Sequence, residues 1–461
     1  MNNFTLNSEF KLPLSTLFEW HLRDGAFERL NPPWQPLYII SKKGSIDDGG
    51  VVTVKLPIIR NRGIKWKIKH ADYIKDRSFK DIQIKGFFSH WEHQHNFFEI
   101  GNKSVLEDKI NYDLLMGPVG KIFSKIIDNN LDCMFKYRHR ITKMDLDTHQ
   151  KFKNSKINTI LVSGSSGFIG SALIPFLTTG GYSVTRLLRS KVPFDYDIAK
   201  RICLNSSDTL SHLDGGKVDA VINLNGENIF GLWNKDKKQM IFDSRVKSTL
   251  SLCKNLSKLD TPPKILISAS AIGIYGNDNE QIFSDMEQYE KNSNDFLSHV
   301  CSEWEEATDI AKSAGIRVVN LRTGIVLGSS GGILKKLMII NRLKTNITIN
   351  HDNWLSWISL DDLLRVILFC MCNVDITGPV NAVSPNHVKY MKFMEILGKI
   401  WNTILNIKIP SKTIEILLGE MSRYAILSDV KATPGKLLLN GFNFIFDDLE
   451  LALRHTLGKI R

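Results

Sequence analysis

The feature that most constrains this chain is an apolar run that leads directly into regularly spaced glycines. Residues 160–170 read ILVSGSSGFIG, with Gly164, Gly167 and Gly170 at intervals of three. A strand that turns at glycine into a helix presents backbone N–H groups at the positive end of the helix dipole. In such a loop the first glycine permits the tight turn, the second lets backbone approach a pyrophosphate, and the third lets helix and strand pack closely. The motif therefore predicts a dinucleotide-binding βαβ unit.

The segment after the motif completes that unit and bears on which dinucleotide would bind. We predict a helix over 171–179 and a second strand over 182–188, which leads directly to Arg189. Sites that prefer NAD place Asp or Glu at the end of this strand, where the carboxylate accepts hydrogen bonds from the ribose. A guanidinium suits a 2′-phosphate instead, so the sequence predicts NADP(H). The alternative is an arginine that is simply solvated at a strand end.

Length, charge and cysteine content limit the classes of protein to consider. The 461 residues exceed the about 250 to 300 over which one core grows, so at least two domains are expected. The net charge is +12, but Lys and Arg are scattered, so no nucleic-acid surface is predicted; a patch for RNA or an anionic membrane is the alternative. We expect a soluble cytoplasmic protein, because the chain shows no signal peptide, no apolar run of about 20 residues and no CxxC pair.

The sequence changes character near residues 150–157, where the segment DTHQKFKNSK, over 147–156, is polar and lacks helical or strand periodicity. We predict a linker there. Before it, alternating segments such as 51–56 and 79–84 predict the antiparallel strands of an α+β domain over 1–150. After it, strands alternate with helices, which predicts an α/β domain with a Rossmann-type doubly wound parallel sheet from residue 157.

Three further predicted strands, over 219–224, 264–268 and 317–321, end in short polar or glycine-containing segments. Together with the glycine motif they resemble the extended and atypical short-chain dehydrogenase/reductases, and more narrowly a family of epimerase-like NADP-binding proteins. The segments that carry the resemblance are GSSGFIGSAL, VINLNGENI, SRVKST, PPKILISASAIGIYG, CSEWEEA, LRTGIVLG, GGIL, WLSWISLDD, GPVNAVSP and GFNF. The resemblance implies an NADP-binding epimerase/dehydratase-like domain over 157–409 and a small carboxy-terminal extension over 410–461.

The resemblance also implies which residues contact the cofactor. Gly164, Gly167, Phe168 and Ile169 would lie at the pyrophosphate, with Gly170 behind them, and Arg189 would lie at the 2′-phosphate. Leu224, Asn225 and Gly226 would line the adenosine side. Arg245 would face the cofactor, and Val326 would lie beside the nicotinamide half. For Arg245 the alternative is an ordinary helix-surface arginine, and for Val326 it is plain core packing.

The catalytic positions of the resembled reductases are altered in this chain. Those enzymes use a tyrosine that exchanges a proton, a lysine four residues later that lowers its pKa, and a serine that orients a carbonyl. The corresponding helix places Leu297 and Cys301 at the tyrosine and lysine positions. Ser270 is then the candidate closest to the usual serine, with Tyr275 and His299 as weaker candidates.

The first 150 residues carry a second resemblance, in the segments LFEWH, GAFERL, NPPW, DDGG and FSHWEHQHNF. These are similar to START-like, polyketide-cyclase-like helix-grip domains, which implies a cavity for an apolar ligand. His93 and His95 share one face of a predicted strand and His90 the other. Imidazoles on one face suit zinc. Because no cysteine or carboxylate lies at ligand spacing, we predict no metal site.

Two functions remain open from the sequence. The first is an NADP(H)-dependent oxidoreductase or epimerase-like enzyme that acts on a small carbonyl or hydroxyl compound, with Ser270 to polarise the carbonyl. The second is a non-catalytic NADP(H)-binding sensor or scaffold, in which the helix-grip module reports its ligand. The altered positions Leu297 and Cys301 favour the second, whereas the cofactor motif is compatible with both.

Overall fold

The computed structural model describes residues 1–35, 37–47, 49–59, 62–114, 117–188, 197–203, 217–287 and 295–460. The first part forms one seven-stranded antiparallel sheet in the order β1-β7-β6-β5-β4-β3-β2. Its strands are β1 (Asn2–Phe10), β2 (Tyr38–Lys43), β3 (Val51–Ile59), β4 (Arg62–Ile74), β5 (Ser78–Lys85), β6 (Phe88–Ile100) and β7 (Lys103–Leu114). The helices of this domain are α1 (Leu14–Leu22), α2 (Ala26–Leu30) and α3 (Gly117–Lys151).

One face of this sheet is covered, and the burial of side chains along its strands alternates accordingly. In β6 the side chains of Trp91, His93, His95 and Phe97 are buried, and the residues between them are more exposed. This period of two directs one set of side chains toward the helix side. The 35-residue helix α3 packs Leu131 and Phe135 into the same core as strand residues such as Val54, Trp66 and Ile110.

The second part is built around a parallel sheet of seven strands in the order β10-β9-β8-β11-β12-β14-β19. The elements of this part follow in chain order: β8 (Thr159–Ser163), α4 (Phe168–Thr179), β9 (Ser183–Leu188), β10 (Lys200–Cys203), β11 (Ala220–Asn223), α5 (Lys235–Phe242), α6 (Ser248–Leu256), β12 (Ile265–Ala271), β13 (Asp278–Ser284), α7 (Phe296–Glu306), α8 (Asp309–Ser313), β14 (Arg317–Thr323), β15 (Ile325–Leu327), α9 (Gly332–Asn341), β16 (Thr345–Asn350), β17 (Trp354–Leu355), β18 (Trp357–Ser359), α10 (Leu360–Cys372), β19 (Gly378–Ala382), β20 (Val388–Lys389), α11 (Tyr390–Trp401), β21 (Leu405–Pro410), α12 (Ser411–Leu418), β22 (Val430–Thr433), α13 (Gly435–Leu439) and α14 (Leu449–Thr456).

Helices cover both faces of the parallel sheet, so its central strands are apolar without alternation. Strand β11 is buried at every position. On one face α4 and α10 pack residues such as Phe176 and Ile367 against Ile160 and Val162. On the other face α6 packs Leu252 beside Leu161 and other strand residues. The Rossmann-type doubly wound sheet expected from the sequence is therefore present.

The polar segment over 147–156, by which the sequence predicts a linker near 150–157, is helical in its first half, because α3 continues to Lys151. The sequence lacks apolar periodicity there because buried polar residues contact the second part of the chain. Thr148 accepts a hydrogen bond from Arg365 Nε at 3.1 Å, and the His149 ring lies 4.6 Å from the Phe176 ring. Burial by the neighbouring domain thus replaces the apolar stripe that the sequence pattern requires.

A buried ionic cluster joins the two parts of the chain beside that helix. Arg29 of α2 donates to Asp145 of α3 at 2.7 and 2.9 Å and to Asp361 of α10 at 2.7 Å. Asp361 also contacts His455 Nε2 at 3.0 Å, and the His455 ring stacks on Tyr137.

Among the helices that the structure describes, none has the length and apolar character needed to span a bilayer.

Candidate dinucleotide-binding site

The order of the parallel strands defines where a ligand binds. Strands β8 and β11 are adjacent, yet the chain leaves β8 toward β9 on one side and enters β11 on the other. In doubly wound sheets, this reversal opens a crevice at the carboxyl ends of the two strands, and ligands bind there. The glycine loop leaves β8 at this point, and the segment that begins at Leu224 leaves β11 beside it.

Two of the predicted glycines are required by close backbone contacts. Gly164 has φ +68°, and a Cβ at this position would lie 2.4 Å from the carbonyl oxygen of Leu224. A Cβ on Gly170 would lie 2.5 Å from the carbonyl oxygen of Gly164. No larger residue fits either position without movement of backbone, so the loop is held as a narrow cradle against β11.

The amino terminus of α4 opens into that cradle. Helix α4 starts at Phe168 after Gly167, and no side chain caps it. The first-turn N–H groups, including those of Phe168 and Ile169, therefore have no intrahelical acceptor and can donate to an anion. A pyrophosphate matches this donor set in charge and geometry. The residues present thus fit a dinucleotide.

The first helical side chain also joins the loop to a distant part of the chain. The Phe168 ring occupies the space beside Gly328 and Gly331, where an added Cβ would lie 2.6 and 2.4 Å from ring atoms. A Cβ on Gly332 would lie 3.3 Å from the Val326 carbonyl and 3.5 Å from the Phe168 ring. The structure therefore brings Phe168 and Val326 together, and Val326 is half-buried in β15.

The opposite wall of the crevice is formed by the residues that follow β11. Leu224 donates its N–H to the Ser163 carbonyl at 3.1 Å, which fixes its own carbonyl over Gly164. Asn225 follows it, and the place of a Cβ on Gly226 is 3.3 Å from the Arg245 guanidinium. Leu224, Asn225 and Gly226 thus lie beside the glycine loop.

Arg245 is drawn inward by a local change in helix winding. It lies in a π-helical turn, Asp243–Lys247, and such turns often occur at functional sites. Its Nη2 donates to the Glu227 carbonyl at 3.0 Å, and its guanidinium lies 5.3 Å from the centre of the Trp304 ring. The alternative of an ordinary surface arginine does not describe this half-buried position.

Ser270 lies at the end of β12, where its hydroxyl is already engaged. Its Oγ donates to Glu305 Oε1 at 2.7 Å, and the side chain is buried. Glu305 also accepts from Arg322 at 2.8 and 2.9 Å, and Arg322 reaches the Tyr275 hydroxyl at 3.0 Å. Tyr275 is buried, whereas His299 is exposed.

Leu297 and Cys301 lie next to each other against the turn after β12. A Cβ on Gly273 would lie 3.8 Å from Leu297 Cβ and 4.0 Å from Cys301 Sγ. Burial raises the pKa of the Cys301 thiol to about 12, so at neutral pH it is an uncharged group. Neither side chain exchanges a proton or supplies a positive charge at neutral pH.

Arg189 lies outside the described residues, and a neighbouring arginine was missed by sequence reasoning. Arg186 of β9 donates Nε to Ser165 Oγ of the glycine loop at 3.1 Å and binds Asp197 through Nη1 at 2.9 and 2.8 Å. Arg186 pairs with Val162 in the parallel register of β8 and β9. That register, rather than any spacing along the chain, places it beside the loop.

Comparison with known proteins agrees with this geometry. The family described as NAD dependent epimerase/dehydratase matches residues 160–382, and a domain of unknown function, DUF1731, matches residues 409–456. The epimerase family protein YfhF of Bacillus subtilis is 32% identical over 299 residues, which cover 65% of this chain and 98% of YfhF. The Mycobacterium bovis epimerase family protein Mb2239 is 31% identical and is covered to 97%.

Solved structures extend the likeness to the whole chain. A nucleoside-diphosphate sugar epimerase from Corynebacterium glutamicum has a TM-score of 0.78 at 27% identity, covering 99% of this chain and 90% of that chain. The human epimerase family protein SDR39U1, solved with NADPH, has a TM-score of 0.59 at 26% identity, covering 66% of this chain and 100% of that one. With the sheet order, the glycine cradle and near-complete coverage of the bacterial relatives, these likenesses lead to one assignment. The chain belongs to the NAD dependent epimerase/dehydratase family.

Proposed function

We propose that this chain is an NADP(H)-dependent oxidoreductase or epimerase-like enzyme that acts on a small carbonyl or hydroxyl compound. The observation that carries the proposal is the glycine cradle, in which backbone contacts leave no room for a Cβ at Gly164 or Gly170. Such contacts hold uncapped N–H groups of α4 toward a pyrophosphate. Likeness to the human relative that was solved with NADPH supports the choice of cofactor class.

In this proposal each predicted site residue has a position around the dinucleotide. Gly164, Gly167, Phe168, Ile169 and Gly170 hold the pyrophosphate, and Arg189 binds the 2′-phosphate. Leu224, Asn225 and Gly226 line the adenosine side. Arg245 faces the cofactor, and Val326 lies beside the nicotinamide half. The bound nucleotide would supply or accept a hydride. The inward position of Arg245 beside Gly226 supports its part of this arrangement.

Ser270 stays the candidate for orienting a substrate carbonyl. Its hydroxyl proton is directed at Glu305, so it would have to leave that carboxylate to donate to a substrate. Replacement of Ser270 by Ala removes the hydroxyl, while the paired hydrogen bonds between Arg322 and Glu305 remain. If Ser270 acts on substrate, turnover falls with little change in cofactor affinity. Equal turnover in both forms would exclude this role.

The alternative function is an NADP(H)-binding sensor or scaffold without turnover. The specific observation that favours it is the pair Leu297 and Cys301, which lie against the turn after β12; leucine has no proton to exchange, and the thiol keeps its proton at neutral pH and carries no positive charge. In this alternative the nucleotide binds in the same cradle, but nicotinamide absorbance never changes with any carbonyl or hydroxyl compound.

We also propose that residues 1–150 form a START-like helix-grip module with an apolar ligand. A seven-stranded antiparallel sheet beside the long helix α3 supports this architecture. A cleft of about 720 Å³ separates this module from the nucleotide domain, and Trp34, Tyr38, Tyr137, Met338 and Leu360 are among its lining residues. In this proposal the ligand would enter through this cleft.

The test of the proposed function is calorimetric titration of the full chain with NADPH and NADH in parallel. We expect tight NADPH binding and weaker NADH binding, followed by substrate-dependent loss of nicotinamide absorbance in a panel of carbonyl compounds. Binding without any turnover would favour the sensor. Failure of both nucleotides to bind would reject both functions.

A further inference from the structure

A cluster of histidines and carboxylates is buried inside the amino-terminal domain, away from the glycine cradle. The strand register brings it together. His93 of β6 pairs with Asp81 of β5, and His95 of the same strand pairs with Asp108 of β7. The two aspartates, absent at ligand spacing along the chain, are thus supplied by neighbouring strands.

One carboxylate lies against a nitrogen of each imidazole. His93 Nε2 lies 3.0 Å from Asp108 Oδ1, and His95 Nδ1 lies 2.7 Å from the same oxygen. A carboxylate accepts and does not donate, so His93 Nε2 carries the proton in its hydrogen bond to Asp108. In a neutral His93 the opposite nitrogen, Nδ1, then carries a lone pair, and in His95 the nitrogen opposite the Asp108 contact is Nε2.

Those opposite nitrogens converge on the second carboxylate. His93 Nδ1 lies 3.8 Å and His95 Nε2 lies 3.5 Å from Asp81 Oδ2, and ligand atoms of these three residues all lie within 4.8 Å of one another. Tetrahedral zinc with bonds of about 2.1 Å separates its ligand atoms by about 3.4 Å. The two distances to Asp81 Oδ2 are therefore close to the spacing that a tetrahedral ion imposes, and the three ligand atoms lie near enough to share one ion.

We propose that Asp81, His93 and His95 bind one divalent transition-metal ion of the zinc class. Two imidazoles and one carboxylate leave a fourth tetrahedral position for water. The contacts behind the ligands match those of metal sites, where outer carboxylates and histidines orient the ligand atoms. Asp108 is hydrogen-bonded to His93 and contacts His95, and His70 Nδ1 lies 2.7 Å from the other oxygen of Asp81.

The carboxylate behind the imidazoles is held in turn by α3. His139 Nε2 contacts Asp108 Oδ2 at 2.7 Å, and His139 Nδ1 contacts Ser8 Oγ of β1 at 2.8 Å. The ligating side chains are thus locked between sheet and helix. The Asp81 side chain keeps 21% of its surface exposed, which gives an ion a path from solvent.

A proton is the competing occupant of the shared position. A doubly protonated His95 would bridge the two carboxylates without any metal, and the same interatomic distances would follow. The two occupants differ in a direct measurement, because a metal ion is detected by stoichiometry and spectrum and a proton is not.

The test uses the full chain, stripped with a chelator, dialysed, and titrated with Zn²⁺ in a calorimeter and with Co²⁺ in an absorption spectrometer. We expect one Zn²⁺ per chain and an intense Co²⁺ spectrum of the tetrahedral type. Absence of binding, or only the weak spectrum of hydrated Co²⁺, would overturn the metal site and leave the proton as occupant.

Four variants locate the ion. His93→Asn and His95→Asn should each abolish the tetrahedral Co²⁺ spectrum, whereas His90→Asn, on the same strand but the opposite face, should leave it intact. Asp108→Asn should weaken Zn²⁺ by about 10- to 100-fold, the usual effect of removing an outer partner. Unchanged binding in both ligand variants would assign the metal elsewhere and reject the proposal.

Circular dichroism checks that each variant is folded. If a ligand variant does not fold, the thermal midpoint of the unaltered chain decides the question. An ion that binds only the folded state raises that midpoint as Zn²⁺ concentration rises. A midpoint that does not move would overturn the site. Neither result depends on nucleotide binding, because these residues belong to the amino-terminal sheet.

Discussion

At the scale of single residues, the sequence was most informative where local geometry alone fixes the residue type. The glycines of the loop are recognisable because at each of them a Cβ would be crowded by backbone a few residues away or in the segment after the adjacent strand. Asp81 and Asp108 escaped notice for the opposite reason, since their places beside His93 and His95 depend on strand register. Local motifs can be identified in a sequence, whereas cross-strand partners can be identified only when the pairing and register of the strands are known.

Gly164→Ala should destabilise the loop and weaken NADPH binding by at least about 10-fold, equivalent to about 1.4 kcal/mol. Its Cβ would lie 2.4 Å from the Leu224 carbonyl, and its φ of +68° is unfavourable for alanine. Gly315→Ala is the matched control, with φ +81° but open space around the Cβ. Calorimetric titration with NADPH measures both. Equal affinity losses would show that backbone strain alone, and not the cradle, explains the effect.

Arg189→Asp should weaken NADPH binding far more than NADH binding. A carboxylate in place of the guanidinium would repel the 2′-phosphate and accept hydrogen bonds from an unmodified ribose. The ratio of the two dissociation constants is the measurement. A parallel loss of both affinities would mean that Arg189 does not read the 2′-phosphate.

At the scale of elements, the central strands and α4 were predicted nearly to their ends, because both carry strong patterns. The end of α3 was not, because its last turns bury polar side chains such as Thr148 and His149 against the second domain. Sequence periodicity reports burial by apolar contacts and misses burial by polar ones. The cost of that polar burial gives a measurable pH dependence.

Burial and the nearby Arg29 and Arg23 lower the pKa of His149 from 6.5 to about 3. The unfolded chain therefore binds a proton below about pH 6.5 that the folded chain refuses until about pH 3. The free energy of unfolding is unaffected by this group above pH 6.5 and falls by about 1.4 kcal/mol per unit as the pH decreases.

Between pH 7 and pH 5, the free energy of unfolding of His149→Leu should fall by about 2 kcal/mol less than that of the original chain. Urea unfolding at several pH values measures it, with the exposed His299→Leu as a control that keeps the dependence of the original chain. A slope in His149→Leu that matches the original would contradict the buried, neutral state of this histidine.

At the scale of the whole molecule, the two parts of the chain share an interior. Arg29, Asp145 and Asp361 come from three helices of both parts, and their ionic contacts are buried. A division near residue 150 is predicted from the change from antiparallel to alternating patterns. The buried ionic cluster could not be predicted from the sequence, because its residues lie far apart along the chain and form no local motif.

Arg29→Met should lower the free energy of unfolding by about 3 to 5 kcal/mol, because two buried carboxylates lose their common cation. The control is Lys42→Met, which removes a more exposed ion pair with Asp24 and should cost about 1 kcal/mol or less. Urea unfolding measures both. Similar losses in the two variants would show that the buried cluster contributes no more than a surface pair.

The unbroken course of α3 has a mechanical meaning. A helix of 35 residues is a rod about 52 Å long. One stretch of it is embedded in the antiparallel core through Phe135, and its far end is clamped by Arg365 and Phe176. A helix that is fixed in both regions should hold the two parts of the chain at a constant distance and should not bend between them. The radius of gyration in solution should consequently stay constant when nicotinamide nucleotide is added, with any rearrangement confined to the loops at the crevice.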